Sequence, residues 1–437
     1  MNKEQQGKRV VISTVGSFGD VHPYVAVALE LKRRGHRPVI ATSEIYREKT
    51  DALGLELHAV PPDLPGYDRP EEVARMIEEL VDTKKGPERV FERFINPHLR
   101  GMYDALAEAT RDADLLVTHI LSLAGPPLVE KTGIPWVSTV LAPISMFSNY
   151  DPPVFPQMPW TYHVLKLHPA VSRAAMRVGR LKLDRLAAPL YRLRAELGLG
   201  RGGNPMLEGQ HSPRMVLALF SSVIGPRQPD WPPQTRVTGF PFYDRRDRAG
   251  DDARGGLEPE LLKFLDAGGP PVVFTLGSSA VYVAGDFYQA SIEAARAAGV
   301  RALLLVGERG NRPAELPEGV AAFDYAPYGE LLPRARAVVH QGGIGTTAQG
   351  LRAGIPALVV PFSHDQFDNG ARVGRVGAGR VLPRSKYNAA SAARELRALL
   401  ADESYTTRAA EVGRRVRAED GASAAADAIE EVLSTEY

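Results

Sequence analysis

Short apolar runs alternate with amphipathic segments along this chain of 437 residues. Residues 9–14 form the first run, and after a glycine-containing turn residues 22–34 place apolar side chains at helical spacing. Further apolar runs occupy residues 38–41, 115–118 and 136–140. Such runs are typical of buried parallel strands, and strands that alternate with helices predict a parallel sheet covered on both faces.

The same alternation begins again after a proline-dense stretch. Residues 215–221 form the last apolar run before it, and runs at 271–276 and 300–306 follow it. A proline-dense segment between two α/β halves is typical of an interdomain linker. We therefore predict a first domain at residues 1–224, a linker at 225–244, a second domain at 245–415 and a C-terminal helical segment at 416–437.

Composition favours an ordinary globular enzyme. The 53 basic and 52 acidic residues give a net charge of +1, so no basic excess predicts binding to nucleic acid. Hydrophobic residues make up 44% of the chain, yet no apolar run reaches the ~18–20 residues that span a bilayer. The lack of cysteine and the polar amino terminus predict a cytoplasmic protein without disulfides, signal peptide or transmembrane segment.

A strand, a glycine turn and a helix start predict an anion site in the second half. The apolar run at 337–339 ends at His340, glycines follow, and a helix begins at about Thr346. The first N–H groups of a helix lack internal partners and lie at the positive end of its dipole, so they attract anions. A second apolar run leads to Asp365 and Gln366. We interpret the anion as a diphosphate and the Asp-Gln pair as a binder of hydroxyl groups.

Two other interpretations fit the same glycines. Residues 343–348 match the dinucleotide fingerprint G-x-G-x-x-A, and Asp365 follows about 20 residues later, as a ribose-binding carboxylate would. This pattern would suit an NAD-dependent oxidoreductase, but His340 has no role in it. The remaining alternative is a tight strand-to-helix turn without a ligand.

Residues 338–379 resemble the donor-binding signature of family-1 nucleotide-sugar glycosyltransferases, in particular the bacterial antibiotic and sterol branch. The resemblance implies an α/β GT-B fold, in which two Rossmann-like parallel-sheet domains face each other across a cleft. It also implies inverting, metal-independent transfer from a UDP- or dTDP-sugar co-substrate, without a cofactor. The alternatives on a similar fold are an oxidoreductase and a nucleotide-sugar epimerase or binding protein.

The same resemblance gives roles to individual donor-site residues. It assigns His340 to a phosphate, Asp365 and Gln366 to sugar hydroxyls, and Tyr325 to stacking on the base. Backbone donors from two turns are expected to hold the departing diphosphate, because preorganised N–H groups stabilise developing charge. The predicted donor-site residues are Gly277, Ser278, Tyr325, His340, Gly342, Gly343, Gly345, Thr346, Thr347, Asp365 and Gln366.

The amino-terminal turn GSFGDVHP resembles the acceptor-side signature of this family. Plant-type relatives place a catalytic histidine after the glycine, whereas Asp20 stands there in this chain, as in the antibiotic and sterol branch. A carboxylate at a strand end can take a proton from an acceptor hydroxyl, although aspartate is also a preferred helix N-cap. His119 ends a later strand where those relatives carry the orienting aspartate. We therefore predict a swapped catalytic pair of Asp20 and His119, and the alternative is an ordinary strand-end histidine.

A proline-rich aromatic loop at residues 142–170 is predicted to line the site of an apolar small-molecule acceptor. Long loops inside an α/β domain are usually functional, so a lid and a packed surface loop both fit the pattern. The predicted acceptor residues are His22, Met146, Phe147, Tyr150, Phe155 and Trp160. We expect a transferase of glucose or rhamnose to a hydroxyl of a polyketide, terpenoid, sterol or flavonoid.

Metal binding is not predicted. Asp112 and Asp114 form a D-x-D pattern of the kind that binds a divalent ion in other transferases. The pattern precedes a strand, and ligands of open α/β sheets bind at the opposite, carboxyl ends of the strands. We therefore interpret it as a solvated turn.

Overall fold

Two parallel β-sheets organise the computed structural model, which describes residues 7–66, 69–83, 85–244, 256–307 and 309–435. The strands of the first sheet are β1 (Arg9–Ser13), β2 (Arg37–Thr42), β3 (Glu56–Ala59), β4 (Leu115–Thr118), β5 (Trp136–Val140), β6 (Met215–Ala218) and β7 (Thr235–Val237). They lie in the order β3-β2-β1-β4-β5-β6-β7. Every residue of β4 and β5 is buried, because helices cover both faces of the sheet.

The second sheet has six strands, which are β8 (Val272–Thr275), β9 (Ala302–Leu305), β10 (Val320–Phe323), β11 (Ala337–His340), β12 (Ala357–Val359) and β13 (Gly379–Val381). They lie in the order β10-β9-β8-β11-β12-β13. His340 pairs with Thr275 on one side and with Val359 on the other. The turns that follow β8, β11 and β12 therefore leave the sheet side by side.

The helices of the first domain are α1 (Phe18–Arg33), α2 (Arg47–Ala52), α3 (Pro70–Leu80), α4 (Gly86–Arg89), α5 (Leu99–Ala109), α6 (Gly125–Thr132), α7 (Thr161–Leu165), α8 (Pro169–Leu186) and α9 (Ala188–Glu196). Those that follow are α10 (Pro259–Asp266), α11 (Gly277–Ala280), α12 (Phe287–Ala298), α13 (Tyr328–Leu331), α14 (Ile344–Ala353), α15 (Gln366–Arg375), α16 (Ala389–Ala401), α17 (Glu403–Arg417) and α18 (Gly421–Ser434). None of the helices in the described part of the chain combines the length and hydropathy needed to cross a membrane.

The predicted α/β class, with two parallel-sheet domains, is confirmed. The predicted domain limits at residues 1, 245 and 437 lie outside the described residues. Part of the predicted linker at 225–244 belongs to the first domain, because β7 pairs with β6 in the first sheet. The predicted limit between residues 415 and 416 falls inside α17. The last helix belongs spatially to the first domain, because Ala425, Ile429 and Val432 of α18 are buried in the same core as Val25 of α1. Arg34 Nη1 also donates to Glu430 Oε2 at 2.7 Å, so α18 is held to the first domain at its rim as well.

Candidate active site

The glycine turn after β11 leaves the start of α14 open for an anion. Gly343 precedes α14, and no side chain caps the first N–H groups of this helix. Gly342 has φ +91°, and a Cβ at this residue would lie 2.7 Å from Val359 Cγ1 and 2.9 Å from the Gln366 carbonyl oxygen. Only glycine fits this close approach in the left-handed region, so the turn holds the open helix start against the neighbouring strand.

His340 is a neutral hydrogen-bond donor beside this turn. The Gly342 N–H donates to His340 Nδ1 at 3.0 Å, so the ring proton of the neutral imidazole lies on Nε2. Burial lowers the pKa of His340 to about 4, and the ring therefore carries no charge near neutral pH. The Nε2–H group remains to donate to a ligand.

A second turn approaches the first from β8. Gly277 has φ +64°, and a Cβ at this residue would overlap Gln341 Nε2 and lie 3.2 Å from Thr346 Oγ1. The structure thus brings Gly277 and Ser278 next to the loop that contains Gly343, Gly345 and Thr346. Tyr325 follows β10, and its ring is exposed. Two adjacent turns with open backbone donors can surround a diphosphate from both sides.

Two buried polar residues lie in this region; Thr347 was predicted as a donor-site residue, whereas Gln341 was not. Gln341 and Thr347 are buried, and Gln341 Oε1 and Thr347 Oγ1 have no hydrogen-bond partner within the described ranges. Unpaired buried polar atoms are costly, and they are typical of sites that bind a ligand or water. The only signal for Gln341 in the sequence was its position between His340 and the glycines of the turn.

Asp365 and Gln366 lie where α15 begins, next to the glycine turn. Asn369 Nδ2 donates to Asp365 Oδ2 at 2.7 Å and to the Gly342 carbonyl oxygen at 2.9 Å. Gln366 Oε1 accepts from the N–H groups of Phe362 and Ser363 at 2.8 and 3.1 Å. The oxygen of Gln366 is therefore occupied by the backbone, and its Nε2 donor is the group left for a ligand. Asn369, which the sequence did not single out, positions the pair.

Asp20 faces the cleft from the first turn of α1. Its Oδ2 accepts from the Ser17 N–H at 2.9 Å, and Ser17 in turn caps the helix. Burial raises the pKa of Asp20 to about 6. Burial also raises the pKa of Asp365 to about 7, and the charge of Asp20 acts in the same direction. The two carboxylates, one from each domain, therefore share one electrostatic environment.

The predicted Asp20–His119 pair does not form. The capping geometry turns the Asp20 carboxylate towards Ser17, while the His119 ring packs against Tyr24 with 6.0 Å between ring centres. His119 is buried, and its Nδ1 has no hydrogen-bond partner among the residues that the structure describes. Burial lowers the pKa of His119 to about 3, so it stays neutral. We correct the pair to Asp20 alone, because no charged partner stabilises an imidazolium at His119.

The predicted acceptor residues separate into different environments. Phe147 and Phe155 stack with 6.5 Å between ring centres, and Tyr150 and Trp160 are exposed. Met146 is buried in the hydrophobic core and offers no surface to an acceptor, so this assignment is corrected.

His22 also lies apart from the acceptor loop. Its ring contacts Phe18 and the linker residue Tyr243, with 5.0 Å between ring centres in each case. Lys49 Nζ is 2.5 Å from His22 Nε2. This arrangement places His22 at the junction with the linker, and its assignment as an acceptor residue stays a prediction.

A buried ion-pair cluster anchors the aromatic loop to the second domain. Arg372 Nη1 donates to Asp151 Oδ2 at 2.5 Å, and its Nε donates to Asp368 Oδ2 at 2.6 Å. The Val154 N–H donates to Asp368 Oδ1 at 3.0 Å, and Arg375 reaches Asp151 at 2.8 Å. The loop of one domain is therefore fastened to α15, the helix that begins at Gln366. The sequence did not reveal this cluster, since Asp368 and Arg372 have the spacing of an ordinary surface ion pair.

The D-x-D pattern is paired with basic residues. Asp112 Oδ1 lies 3.1 Å from Arg9 Nε, and Asp114 Oδ2 accepts from the Arg9 N–H at 2.7 Å. Both residues precede β4, at the amino end of the sheet. Their carboxylates therefore contact Arg9 at the end of the sheet opposite to the carboxyl ends of the strands.

Comparison with known proteins connects both domains to sugar transfer. Residues 10–111 match the glycosyltransferase family 28 N-terminal domain, and residues 301–432 match the erythromycin biosynthesis protein CIII-like, C-terminal domain. The chain is 32% identical to the O-mycaminosyltylonolide 6-deoxyallosyltransferase of Streptomyces fradiae, over 98% of each protein. It is 29% identical to a sterol 3-beta-glucosyltransferase of Debaryomyces hansenii over 95% of its own length, which spans only 26% of that longer protein.

Solved structures show the same fold. The glycosyltransferase of kitacinnamycin superposes with a TM-score of 0.69 at 23% identity, over 98% of this chain and all of that one. The Streptomyces glycosyltransferase SsfS6, solved with thymidine diphosphate, superposes with a TM-score of 0.60 at 21% identity, over 97% and 99% of the two chains. These similarities confirm the two facing Rossmann-like domains of the predicted GT-B fold.

Proposed function

Because this chain belongs to the antibiotic and sterol branch of the family-1 glycosyltransferases, we propose that it transfers a hexose or deoxyhexose from a UDP- or dTDP-sugar to a hydroxyl of an apolar small molecule. A macrolide or a sterol is the acceptor type that the names of the relatives support. The thymidine diphosphate bound to a structural neighbour supports a diphosphate in the corresponding cleft. The proposed reaction inverts the anomeric carbon.

The observation that carries this proposal is the uncapped start of α14 beside the neutral His340, which together offer hydrogen-bond donors to a diphosphate. Asp20 comes from the first domain and Asp365 from the second; burial is the main cause of the raised pKa of Asp365, and the charge of Asp20 acts in the same direction. In the proposed reaction Asp20 takes the proton of the acceptor hydroxyl, whose oxygen then forms a bond to the anomeric carbon. The bond from that carbon to the diphosphate oxygen breaks, and the nucleoside diphosphate leaves.

The departing charge is proposed to be stabilised by donors that are already in place. Nε2–H of His340, the open N–H groups at the start of α14 and the turn at Gly277 surround the proposed diphosphate site. A neutral imidazole held by Gly342 donates without a proton transfer, so it costs little reorganisation during the reaction. Asp365 and Gln366 Nε2 are proposed to bind hydroxyls of the sugar.

We predict that excess EDTA leaves the initial rate of glycosyl transfer unchanged. The reason is that the start of α14, the glycine turns and His340 supply the hydrogen-bond donors for the leaving group. Asp112 pairs with the Arg9 side chain, and Asp114 accepts a hydrogen bond from the Arg9 N–H group. Initial rates with and without EDTA, followed by addition of Mg²⁺ or Mn²⁺, measure this directly. A loss that either ion restores would contradict metal-independent transfer.

Gln366 is expected to select the sugar rather than to bind the nucleotide. Gln366→Glu keeps the oxygen that accepts from Phe362 and Ser363 but replaces the free Nε2 donor with an acceptor. We expect kcat/KM for the preferred donor to fall by about 10- to 100-fold, the effect of about 1–3 kcal/mol for a lost hydrogen bond to the sugar. Gln366→Ala, which also loses the loop contacts, should be less stable.

Two measurements decide the role of Gln366. The ranking of several nucleotide sugars by kcat/KM should change in Gln366→Glu, while calorimetry should give nearly the same Kd for free nucleoside diphosphate. An equal loss for every donor and for free nucleoside diphosphate would assign Gln366 to the nucleotide instead.

Acceptor-dependent release of nucleoside diphosphate tests the function as a whole. A panel of UDP- and dTDP-sugars is first ranked by the rise in Tm, because a ligand that binds the folded state stabilises it by mass action. The ranked donors are then incubated with macrolide and sterol acceptors, and glycosylated product is measured by mass. Reduction of NAD, or conversion of the donor sugar without an acceptor, would instead support the oxidoreductase or epimerase alternative.

A further inference from the structure

One part of the first domain exposes an unusual concentration of large apolar side chains. We call it the α7–α8 surface, and it consists of Met158, Trp160, Val164, Leu167, Val171, Val178 and Leu181. These seven are among eleven large hydrophobic residues that are exposed in the described ranges of the chain. Concentrated apolar surface of this kind marks a contact with a partner or a membrane.

Helix α8 shows most clearly that this surface lacks a cover. Only Ser172 is buried among its 18 residues. At 100° per residue, an arc of about 120° contains the apolar residues Val171, Ala174, Ala175, Val178 and Leu181, and the basic residues Lys182 and Arg185 lie within the same arc. Val178 and Leu181 are 72% and 67% exposed, so this arc faces away from the protein. The less exposed side of α8 contains Ser172, Met176, Leu183 and Leu186, so this helix has apolar residues on its outer face in addition to those on its inner face.

Basic side chains lie within and beside this arc. Residues 158–186 contain six basic side chains, at positions 166, 173, 177, 180, 182 and 185, and one acidic residue, Asp184. Their balance is 6 − 1 = +5, although the whole chain carries only +1. Arg180 pairs with Glu208 at 3.0 Å and Lys182 pairs with Glu88, so these two charges are neutralised. Arg173, Arg177 and Arg185 have no carboxylate partner among the described side chains. The surface therefore combines an apolar stripe with unneutralised positive charge.

We propose that the α7–α8 surface binds an anionic lipid membrane, with α8 lying flat in the headgroup region. Apolar residues on one face, basic residues beside them and a tryptophan nearby are the features of helices that lie at such an interface. Long basic side chains can extend to the phosphates while their stems cover apolar surface.

Membrane binding would give the acceptor loop access to its substrate. The segment at 142–170 contains α7 and leads into α8, and its Asp151 is paired with Arg372 of α15. Lipid would then lie beside the loop that is proposed to line the acceptor site. This consequence rests on the proposed function, since an apolar acceptor concentrates in lipid. The binding itself rests only on the surface.

Tryptophan fluorescence offers a direct test with the full chain. Trp136 and Trp231 are buried, whereas Trp160 is 64% exposed. We expect vesicles of phosphatidylglycerol and phosphatidylcholine to shift the emission to shorter wavelength, and brominated lipid to quench it. Vesicles of phosphatidylcholine alone should do neither. Trp160→Phe should abolish both signals while the protein still sediments with the anionic vesicles.

Paired variants separate the apolar and the charged contributions. Val178→Glu with Leu181→Glu, and separately Arg173→Glu with Arg177→Glu, should each reduce the apparent lipid partition constant by about 10-fold or more at about 0.1 M salt. The matched control is Arg296→Glu with Arg408→Glu, which changes net charge equally on exposed residues of the second domain. All three should keep the Tm and the rate of nucleoside diphosphate release with a water-dispersed acceptor.

Three results would overturn the proposal. The first is wild-type protein that stays in the supernatant with anionic vesicles at low salt. The second is a loss of sedimentation in the control as large as in the two α8 variants. The third has two parts: the wild-type protein does not bind vesicles, and it forms a dimer or a complex with an acidic protein that the double variant Val178→Glu with Leu181→Glu no longer forms. Vesicle binding can be measured without any sugar transfer. A failure to bind vesicles would therefore overturn only the membrane proposal, and the proposed transfer reaction would still be decided by the release of nucleoside diphosphate.

Discussion

Asp20→Asn is expected to slow glycosyl transfer by about 100-fold or more while donor affinity stays nearly unchanged, because it removes the proposed general base. The amide retains an oxygen that can accept from the Ser17 N–H, so the helix cap is kept. Stability at pH 7.5 should not fall. The raised pKa of Asp20, about 6, means that the folded protein disfavours the charged carboxylate, and asparagine carries no charge.

The pH dependence supplies a second readout for Asp20. Below a pH of about 6 the carboxyl is protonated and cannot accept a proton, so kcat/KM should fall as the pH decreases through this value. The limb can extend towards pH 7, because Asp365, with a pKa of about 7, is electrostatically linked to Asp20. In Asp20→Asn, the remaining kcat/KM should not fall as the pH decreases through about 6.

Two controls distinguish the base from the helix cap. Ser17→Ala removes the side-chain cap and should cost about 1 kcal/mol of stability with transfer largely retained. His119→Ala should leave an acidic limb near pH 6, because His119 is buried and neutral and makes no hydrogen bond to Asp20. Near-native kcat in Asp20→Asn at saturating acceptor would show that Asp20 is only a cap. A loss confined to His119→Ala would return the base to His119.

His340→Ala is expected to weaken donor binding and to slow transfer by about 2–4 kcal/mol, or roughly 30- to 1,000-fold. The reason is the loss of the Nε2–H donor, whose bond to the diphosphate strengthens as charge develops on the leaving oxygen. The alanine variant also removes the acceptor of the Gly342 N–H, so its effect alone mixes two causes. Steady-state kinetics and calorimetry with nucleoside diphosphate measure the sum.

Two amide variants separate the causes at His340. The oxygen of His340→Asn can replace Nδ1 as acceptor for Gly342, but this side chain is too short to replace the Nε2 donor. The longer His340→Gln can place an N–H near the Nε2 position. We expect His340→Asn to be nearly as slow as alanine and His340→Gln to recover part of the rate. The reverse order would mean that His340 acts only by holding the turn.

The sequence alone determined the architecture and the positions of the candidate donor residues in the fold. Continuous apolar strands such as 115–118 and 136–140 indicate burial on both faces, and the connection of each strand through a helix dictates a parallel sheet. His340, Asp365 and Gln366 could be found because each follows a strand, and the carboxyl ends of neighbouring parallel strands meet at one edge. Local chemistry and chain order suffice for such inferences.

Only the tertiary structure decided how polar groups share their partners. Asp20 could be placed at the start of α1 from the sequence, but its bond to Ser17 and its separation from His119 depend on the direction of each side chain. The sequence predicted that both the oxygen and the nitrogen of the Gln366 amide could bind the sugar. In the structure its oxygen accepts from the N–H groups of Phe362 and Ser363, so only the nitrogen is left for a ligand. Arg372 lies four residues after Asp368, the spacing of an ordinary surface ion pair, but its side chain is buried and also pairs with Asp151 of the first domain. Contacts between residues far apart in the chain are set by packing, which no local pattern encodes.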